Sequence, residues 1–252
     1  MRLLLLLALI CIVNPTKAAQ VAIIIDDIGY RQTDTAVLSL PSAITLSVLP
    51  HTPLGKEIAQ LANDSGYEIM LHLPMQALNG KKQGPGGLTN QMDEQEFKQT
   101  VANALESIPN VKGVNNHMGS LLTQMGEQMM WLMESLKQRD SYFVDSVTTR
   151  YTKAGEMANK LGIPKLKRQI FLDNDVSEAA LERQFQQVIQ QANNEGQVVV
   201  IAHPYPETIH FLQKNLGRLQ QQGLTLVKTS QLLPYRLAQK DPKIAGSKTH
   251  RQ

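Results

Sequence analysis

The sequence predicts an α/β fold in which seven or eight parallel strands, each followed by a helix, close into a barrel. Three observations carry this reading. Short apolar runs bounded by turn residues alternate with stretches of helical spacing, the order of strand–helix–strand units. The runs are almost continuously apolar, as strands covered on both faces are. Asp or His repeatedly ends them, at the end of the strand where α/β folds bind ligands.

The first strand is Val21-Ala22-Ile23-Ile24-Ile25, ended by Asp26-Asp27-Ile28-Gly29. Side chains alternate along a strand, so the two aspartates are expected to point different ways. Ala43 to Leu49 is the second strand, ending at Pro50-His51. Leu54 to Ser65 has helical spacing through Ile58, Leu61 and Ala62, with Gly66 as its stop. Tyr67 to Leu73 is the third strand and runs into His72-Leu73-Pro74-Met75. The glycine-rich stretch Gly80 to Leu88 lacks the spacing of a phosphate cradle and reads as a mobile surface loop.

A helix over Asp93 to Ser107 precedes a short strand, Val111 to Val114, which leads into Asn115-Asn116-His117-Met118-Gly119-Ser120. Glu127 to Arg139 is a helix whose Met130, Trp131 and Leu136 belong to the core. Tyr142 to Asp145 is a strand and Thr152 to Leu161 a helix. Arg168 to Leu172 is a strand ending at Asp173-Asn174-Asp175, and Ser177 caps a helix reaching Asn193. Gln197 to Ala202 is a buried strand ending at His203-Pro204. A helix from Glu207 to Gln222 and a last strand, Leu224 to Lys228, complete the series.

Both ends of the chain stand apart from this fold. Residues 1–19 have the layout of a signal peptide: Arg2, then about eleven apolar residues, too few to span a bilayer, then Ala18-Ala19 suited to cleavage. Residues 236–252 form a polar, basic, disordered tail. One domain, residues 20–235, lies between them. Such a chain is expected in the periplasm or outside the cell, with no membrane span after cleavage. Its one cysteine, Cys11, falls in the leader, so the mature protein is held by packing alone. The net charge of +3 includes Arg2 and the tail. The folded part is therefore near neutral and carries no nucleic-acid footprint.

Asp26, Asp27, His72, His117, Asp145, Asp173 and His203 all follow the apolar part of a strand, and in a barrel they would converge on one mouth. A carboxylate with two imidazoles is a ligand set for zinc or another divalent transition metal with open positions. A second carboxylate can take a proton from water, and a histidine can protonate a leaving group. The chemistry implied is metal-assisted hydrolysis.

Four stretches carry a resemblance to a known family: Ile25 to Gly29, Gly66 to Met75, Gly113 to Ser120, and Ala202-His203-Pro204. Together they resemble the divergent polysaccharide deacetylases, a branch of the NodB-like carbohydrate esterases, over roughly Gln20 to Leu233. The resemblance implies a distorted NodB-like (β/α) barrel of about seven parallel strands. It also implies a divalent metal, zinc first, and deacetylation of an N-acetylated polysaccharide or peptidoglycan-like glycan. In its terms Asp26 is the catalytic base, Asp27 and His72 are metal ligands, and His203 is the general acid. The wider family places a second histidine ligand four residues beyond the first, where this chain has Gln76. The arginine loop of that family is also missing, and His117 on the next strand is the expected replacement ligand.

Asn115 and Asn116 either orient His117, bind sugar hydroxyls or build a turn. Asp145 and Asp173 are either partners of the histidines or strand-end caps, and Tyr205 lines the pocket. His51 and His210 read as surface residues. The alternative to an enzyme is a barrel of the same design that binds glycan or protein without turnover, which Gln76 and the missing arginine loop favour.

Overall fold

A computed structural model describes residues 18–233. The tail and all but the last two residues of the leader lie outside the described residues. The strands are β1 (Gln20–Ile28), β2 (Thr45–Val48), β3 (Glu68–Met75), β4 (Val111–Met118), β5 (Tyr142–Asp145), β6 (Lys165–Lys167), β7 (Ile170–Phe171), β8 (Gln197–Ala202) and β9 (Thr225–Leu226). The helices are α1 (Gly55–Asp64), α2 (Glu94–Ser107), α3 (Gly126–Gln138), α4 (Ala154–Leu161), α5 (Glu178–Glu195), α6 (Pro206–Asn215) and α7 (Gly217–Gln221). No helix among the described residues is long and apolar enough to cross a membrane.

All pairings are parallel, in the order β6-β5-β4-β3-β2-β1-β8-β7. The α/β barrel reading holds, with corrections at its seam. The strand expected over Arg168 to Leu172 is the shorter β7, and an unexpected strand, β6, precedes it; the two do not pair with each other. Between them Arg168 N donates to Asp145 O and Gln169 N to Val199 O, both at 2.9 Å, so the chain itself crosses the gap. β6 escaped notice because Lys-Leu-Lys offers one apolar side chain and no run. β9 is shorter than the strand expected there and pairs only with Gln20 and Val21, below the point where β2 begins beside β1. The last helix breaks at Leu216–Gly217.

Strand alternation sorts the core into two layers. Val21, Ile23 and Ile25 of β1 face outward and pack with α-helical residues such as Phe97, Leu132 and Phe185. Ala22 and Ile24 face inward with Met70, Val144, Val199 and Ile201. Below this inner layer Glu68 receives Tyr142 Oη at 2.8 Å and Ser230 N at 3.0 Å, which clasps the C-terminal 3₁₀ helix Thr229–Leu232 to the barrel floor. Above it, the same inward parity delivers Asp26 and His72 to the mouth.

Gly113, inward on β4, has the Tyr142 ring against its Cα: a Cβ there would stand 2.4 Å from Tyr142 Cζ. Gly113→Ala is therefore expected to cost about 1–3 kcal/mol by overpacking, read as a lower denaturation midpoint at unchanged slope. Adding Tyr142→Leu should restore part of the loss if the ring is the cause.

Candidate metal centre

The site begins with an irregularity in β1. Ile25 pairs with Leu46 and Ile28 with Val48, so three steps on β1 face two on β2, a bulge spanning Asp26-Asp27. Asp27 has a φ of 59°, in the left-handed region that Asp tolerates better than most residues. Gly29 follows at φ 133°, where a Cβ would lie 2.2 Å from Thr52 Oγ1, so only glycine fits. The bulge corrects the expectation that the two aspartates diverge: both carboxylates turn to the mouth.

Asp27 Oδ1 lies 3.0 Å from His72 Nε2 and 2.8 Å from His117 Nδ1, and the two ring nitrogens are 3.1 Å apart. This trio is a group that could hold a metal ion. Ligand atoms about 2.1 Å from one cation, in a tetrahedral or octahedral shell, stand about 3.0–3.4 Å apart, close to what is found. Asp27 Oδ1 is buried and has no aligned hydrogen-bond donor. A carboxylate oxygen and two ring nitrogens converging on one point fit a divalent cation.

Asn115 sets the state of His72. Its Nδ2 donates to Asp26 Oδ1 at 2.8 Å, so its Oδ1 faces Ser47 Oγ and His72 Nδ1, each at 2.7 Å. An amide oxygen only accepts, so His72 carries its proton on Nδ1 and turns the lone pair of Nε2 to the centre. Asn115 thus orients His72 rather than His117. Asn116 builds the turn: its Oδ1 accepts Ser146 N at 2.9 Å and its Nδ2 donates to Met118 O at 2.8 Å.

His203 sits across the mouth, with Nε2 4.0 Å from Asp27 Oδ2. Asp173 accepts from its backbone N at 2.7 Å and lies 2.9 Å from its Nδ1, while Thr208 Oγ1 holds the same carboxylate at 2.9 Å. Asp173 is therefore a histidine partner. Asp145 is a strand-end cap, accepting from Val147 N and Thr152 Oγ1 at 2.9 Å each. Tyr205 lines a cavity of about 160 Å³ with Asp27, Arg31, Asp34, His117 and His203.

Electrostatics divides the carboxylates. Burial lifts Asp26 above the usual range against the opposing pull of His72, His203 and the Asn115 amide. Burial also works on Asp27, but contact with His117 and His72 holds it well below that range. Burial disfavours the charged form of both His72 and His203. Asp26 and Asp27 outweigh it at His72, whose pKa is raised. Asp173 outweighs it at His203 and pushes that imidazole up to about 9.

A family profile described as divergent polysaccharide deacetylase matches residues 23–233. The chain belongs to that family. This deacetylase-family protein is 38% identical over 227 residues to YibQ, an uncharacterized protein of Escherichia coli K12, covering 90% of this chain and 71% of that one. The crystal structure of ATU2773, an uncharacterized protein of Agrobacterium tumefaciens C58, matches with a TM-score of 0.83 at 23% identity, over 87% of this chain and 91% of that one. A mutant of BA3943, described as a CE4 family pseudoenzyme with restored enzymatic activity, matches with a TM-score of 0.51 at 12% identity, over 85% and 67% of the two chains. These two likenesses show the shared fold.

Gln76 takes no part in the centre. Its Oε1 accepts Asn90 N at 2.8 Å and its carbonyl accepts Leu121 N at 3.2 Å. The glycine-rich loop lies at the surface, with Lys81, Lys82, Gly84 and Pro85 exposed, and its end is anchored where Leu88 is buried and donates to Pro74 O at 2.8 Å. Asp34 is a site residue that the strand-end pattern missed, because it sits in a 3₁₀ helix (Gln32–Ser39).

Loss of the outer hydrogen bond on a ligand histidine typically weakens metal binding about 10- to 100-fold. Asn115→Ala is expected to do this in zinc titration, and to lower the thermal midpoint as well, because it leaves Asp26 and His72 unpaired in the interior. The His203 ring should titrate near pH 9 in NMR spectra, and Asp173→Asn should bring it back toward its ordinary 6.5. Because folding raises this pKa, the pair's stabilisation is full below pH 6.5 and is lost as pH rises through about 9.

Proposed function

We propose that the protein is a periplasmic, metal-dependent hydrolase that removes acetyl groups from an N-acetylated envelope polysaccharide. The observation that carries this reading is the meeting of Asp27 Oδ1, His72 Nε2 and His117 Nδ1 within 3.1 Å of one another, with Asp26 and His203 beside them. Family membership supplies the substrate class. The signal-like residues 1–19 support the compartment, and an envelope glycan such as peptidoglycan follows from it.

Asp27, His72 and His117 would hold the cation, with zinc suited to two imidazoles, one carboxylate and open positions. Bound there, it supplies Lewis acidity to the attacking water and to the acetyl oxygen as charge develops. Asp26 is the base. Asn115 holds its Oδ1, which leaves Oδ2 to take the water's proton, and burial raises its basicity. His203 is the acid: Asp173 keeps it protonated at neutral pH and turns Nε2 inward. As the water oxygen bonds to the acetyl carbon and the C–N bond breaks, Nε2–H passes to the nitrogen. Acetate and a free amine result.

A second reading draws on a specific observation: Gln76, which replaces the wider family's histidine, is committed to a loop. A barrel of this kind would bind an envelope glycan or a protein without turnover.

The two readings separate on Asp26→Asn. For an enzyme, acetate release from N-acetylated glycans should fall by about 10²–10⁴-fold while bound zinc stays stoichiometric. A zinc-loaded wild type that releases no acetate from a panel of such glycans would replace the hydrolase by the binding protein.

A further inference from the structure

The cavity beside the metal centre carries more donors than the protein itself satisfies. Arg31 and Tyr205 line it together with Asp27 and His203. Arg31 is exposed at the rim, and no other Lys or Arg among the described residues lines this cavity. Its guanidinium is in no ion pair among the described residues, whereas Arg139 and Arg218 each hold a glutamate. Asp34 takes the backbone N–H of Arg31 at 2.9 Å but makes no ion pair with the side chain. The Tyr205 hydroxyl caps no amide of its own helix. Asp173 behind it is already taken by His203 and Thr208.

Both donors have fixed roots. Asp34 gathers the amides of Gly29 and Arg31, which sets Arg31 a short turn beyond Asp27. The Tyr205 ring is tilted 39° to that of His203, with centroids 5.6 Å apart. Burial, with the charges of Asp173 and Asp27, raises the phenol above its ordinary range, so the hydroxyl keeps its proton. Arg31 pulls the other way, which sets its charge within reach of that hydroxyl. The acceptors nearby have other work: Asp27 has the cation and Asp34 has the two amides. What is missing is an acceptor with negative charge. A guanidinium is cationic throughout the working range, and its planar fork matches a carboxylate.

We propose that Arg31 and Tyr205 form a carboxylate subsite for an acidic group on the sugar bearing the acetamide, or on its neighbour in the chain. That the carboxylate rides on a glycan rests on the substrate proposed above. The step from the His203 ring to the Tyr205 ring is comparable to the width of one pyranose. An acidic group there therefore lies beside the acetamide rather than far along the polymer. The lactyl ether of a muramic acid and the carboxyl of a uronic acid both present this chemistry.

The test is calorimetric binding of three disaccharides to the zinc-loaded mature chain. Diacetylchitobiose and N-acetylglucosaminyl-N-acetylmuramic acid differ only in the lactyl ether, and the hyaluronan disaccharide carries a uronate. The expected result is at least one acidic disaccharide bound about 10-fold or more tighter than diacetylchitobiose, the value of a charge-assisted hydrogen bond. Whichever acidic probe shows the preference identifies the source of the carboxylate. Arg31→Gln should erase the preference, Arg31→Lys should keep part of it, and Tyr205→Phe should reduce it, with zinc stoichiometry and thermal midpoint unchanged. Equal affinity for all three probes, or binding of none, overturns the subsite. So does a preference that survives Arg31→Gln, or an Arg31→Gln chain that loses neutral and acidic probes alike. Acetate release from diacetylchitobiose without any acidic preference keeps the hydrolase and removes the subsite. An acidic preference erased by Arg31→Gln, with no acetate released from any probe, keeps the subsite and removes the hydrolase.

Discussion

The side-chain amide of Asn115 is the interaction on which the centre depends. It is fully buried and touches three strands besides its own, through Ser47 on β2, His72 on β3 and Asp26 on β1. Its donor and acceptor ends cannot be exchanged, because Asp26 offers only lone pairs. That polarity propagates: it decides which nitrogen of His72 is bare, and it occupies one oxygen of Asp26 so that the other is free. A hydrocarbon of the same shape would fill the volume but leave a carboxylate and an imidazole unpaired in the barrel interior. Buried networks of this kind are stable when complete and costly when broken.

The backbone supplies the second constraint. A regular strand would have sent Asp27 outward among the helices, where a carboxylate has no partner. The bulge and the left-handed residue break that parity at one place and give two consecutive residues the same direction. The geometry is over-determined from outside: Gly29 admits Thr52 against its backbone, and Asp34 gathers the amides of Gly29 and Arg31. Strain at Asp27 is tolerated because the turn after it has little freedom.

Much of this was legible in the sequence. Buried parallel strands announce themselves as apolar runs, and a polar residue ending each run needs a reason, so Asp26, His72, Asp173 and His203 stood out. The expectation that His117, on the next strand, stands beside His72 is met in space: Leu73, Pro74 and Met75 pair with Asn116, His117 and Met118, and the two ring nitrogens lie 3.1 Å apart. The bulge was not legible, because Asp-Asp is compatible with either parity. β6 was hidden by its two lysines. The glycine-rich loop declared turns but not what those turns rest on, since glycine encodes conformation and carries no contact of its own. The sequence does not mark Glu68 as buried. Its burial depends on Tyr142 and Ser230, which arrive from distant parts of the chain.

The position of β1 in the sheet has a kinetic consequence. This strand is the first described element of the chain, yet Gln20 pairs with Gln197 on one side and Thr225 on the other. Its neighbours are therefore complete only when nearly the whole domain is available, and closing such long loops slows folding. Until then an aggregation-prone Val-Ala-Ile-Ile-Ile segment is unprotected. A chain wired in this way suits a route in which it stays extended and escorted until its end is free, and it leaves early truncation products little chance of persisting.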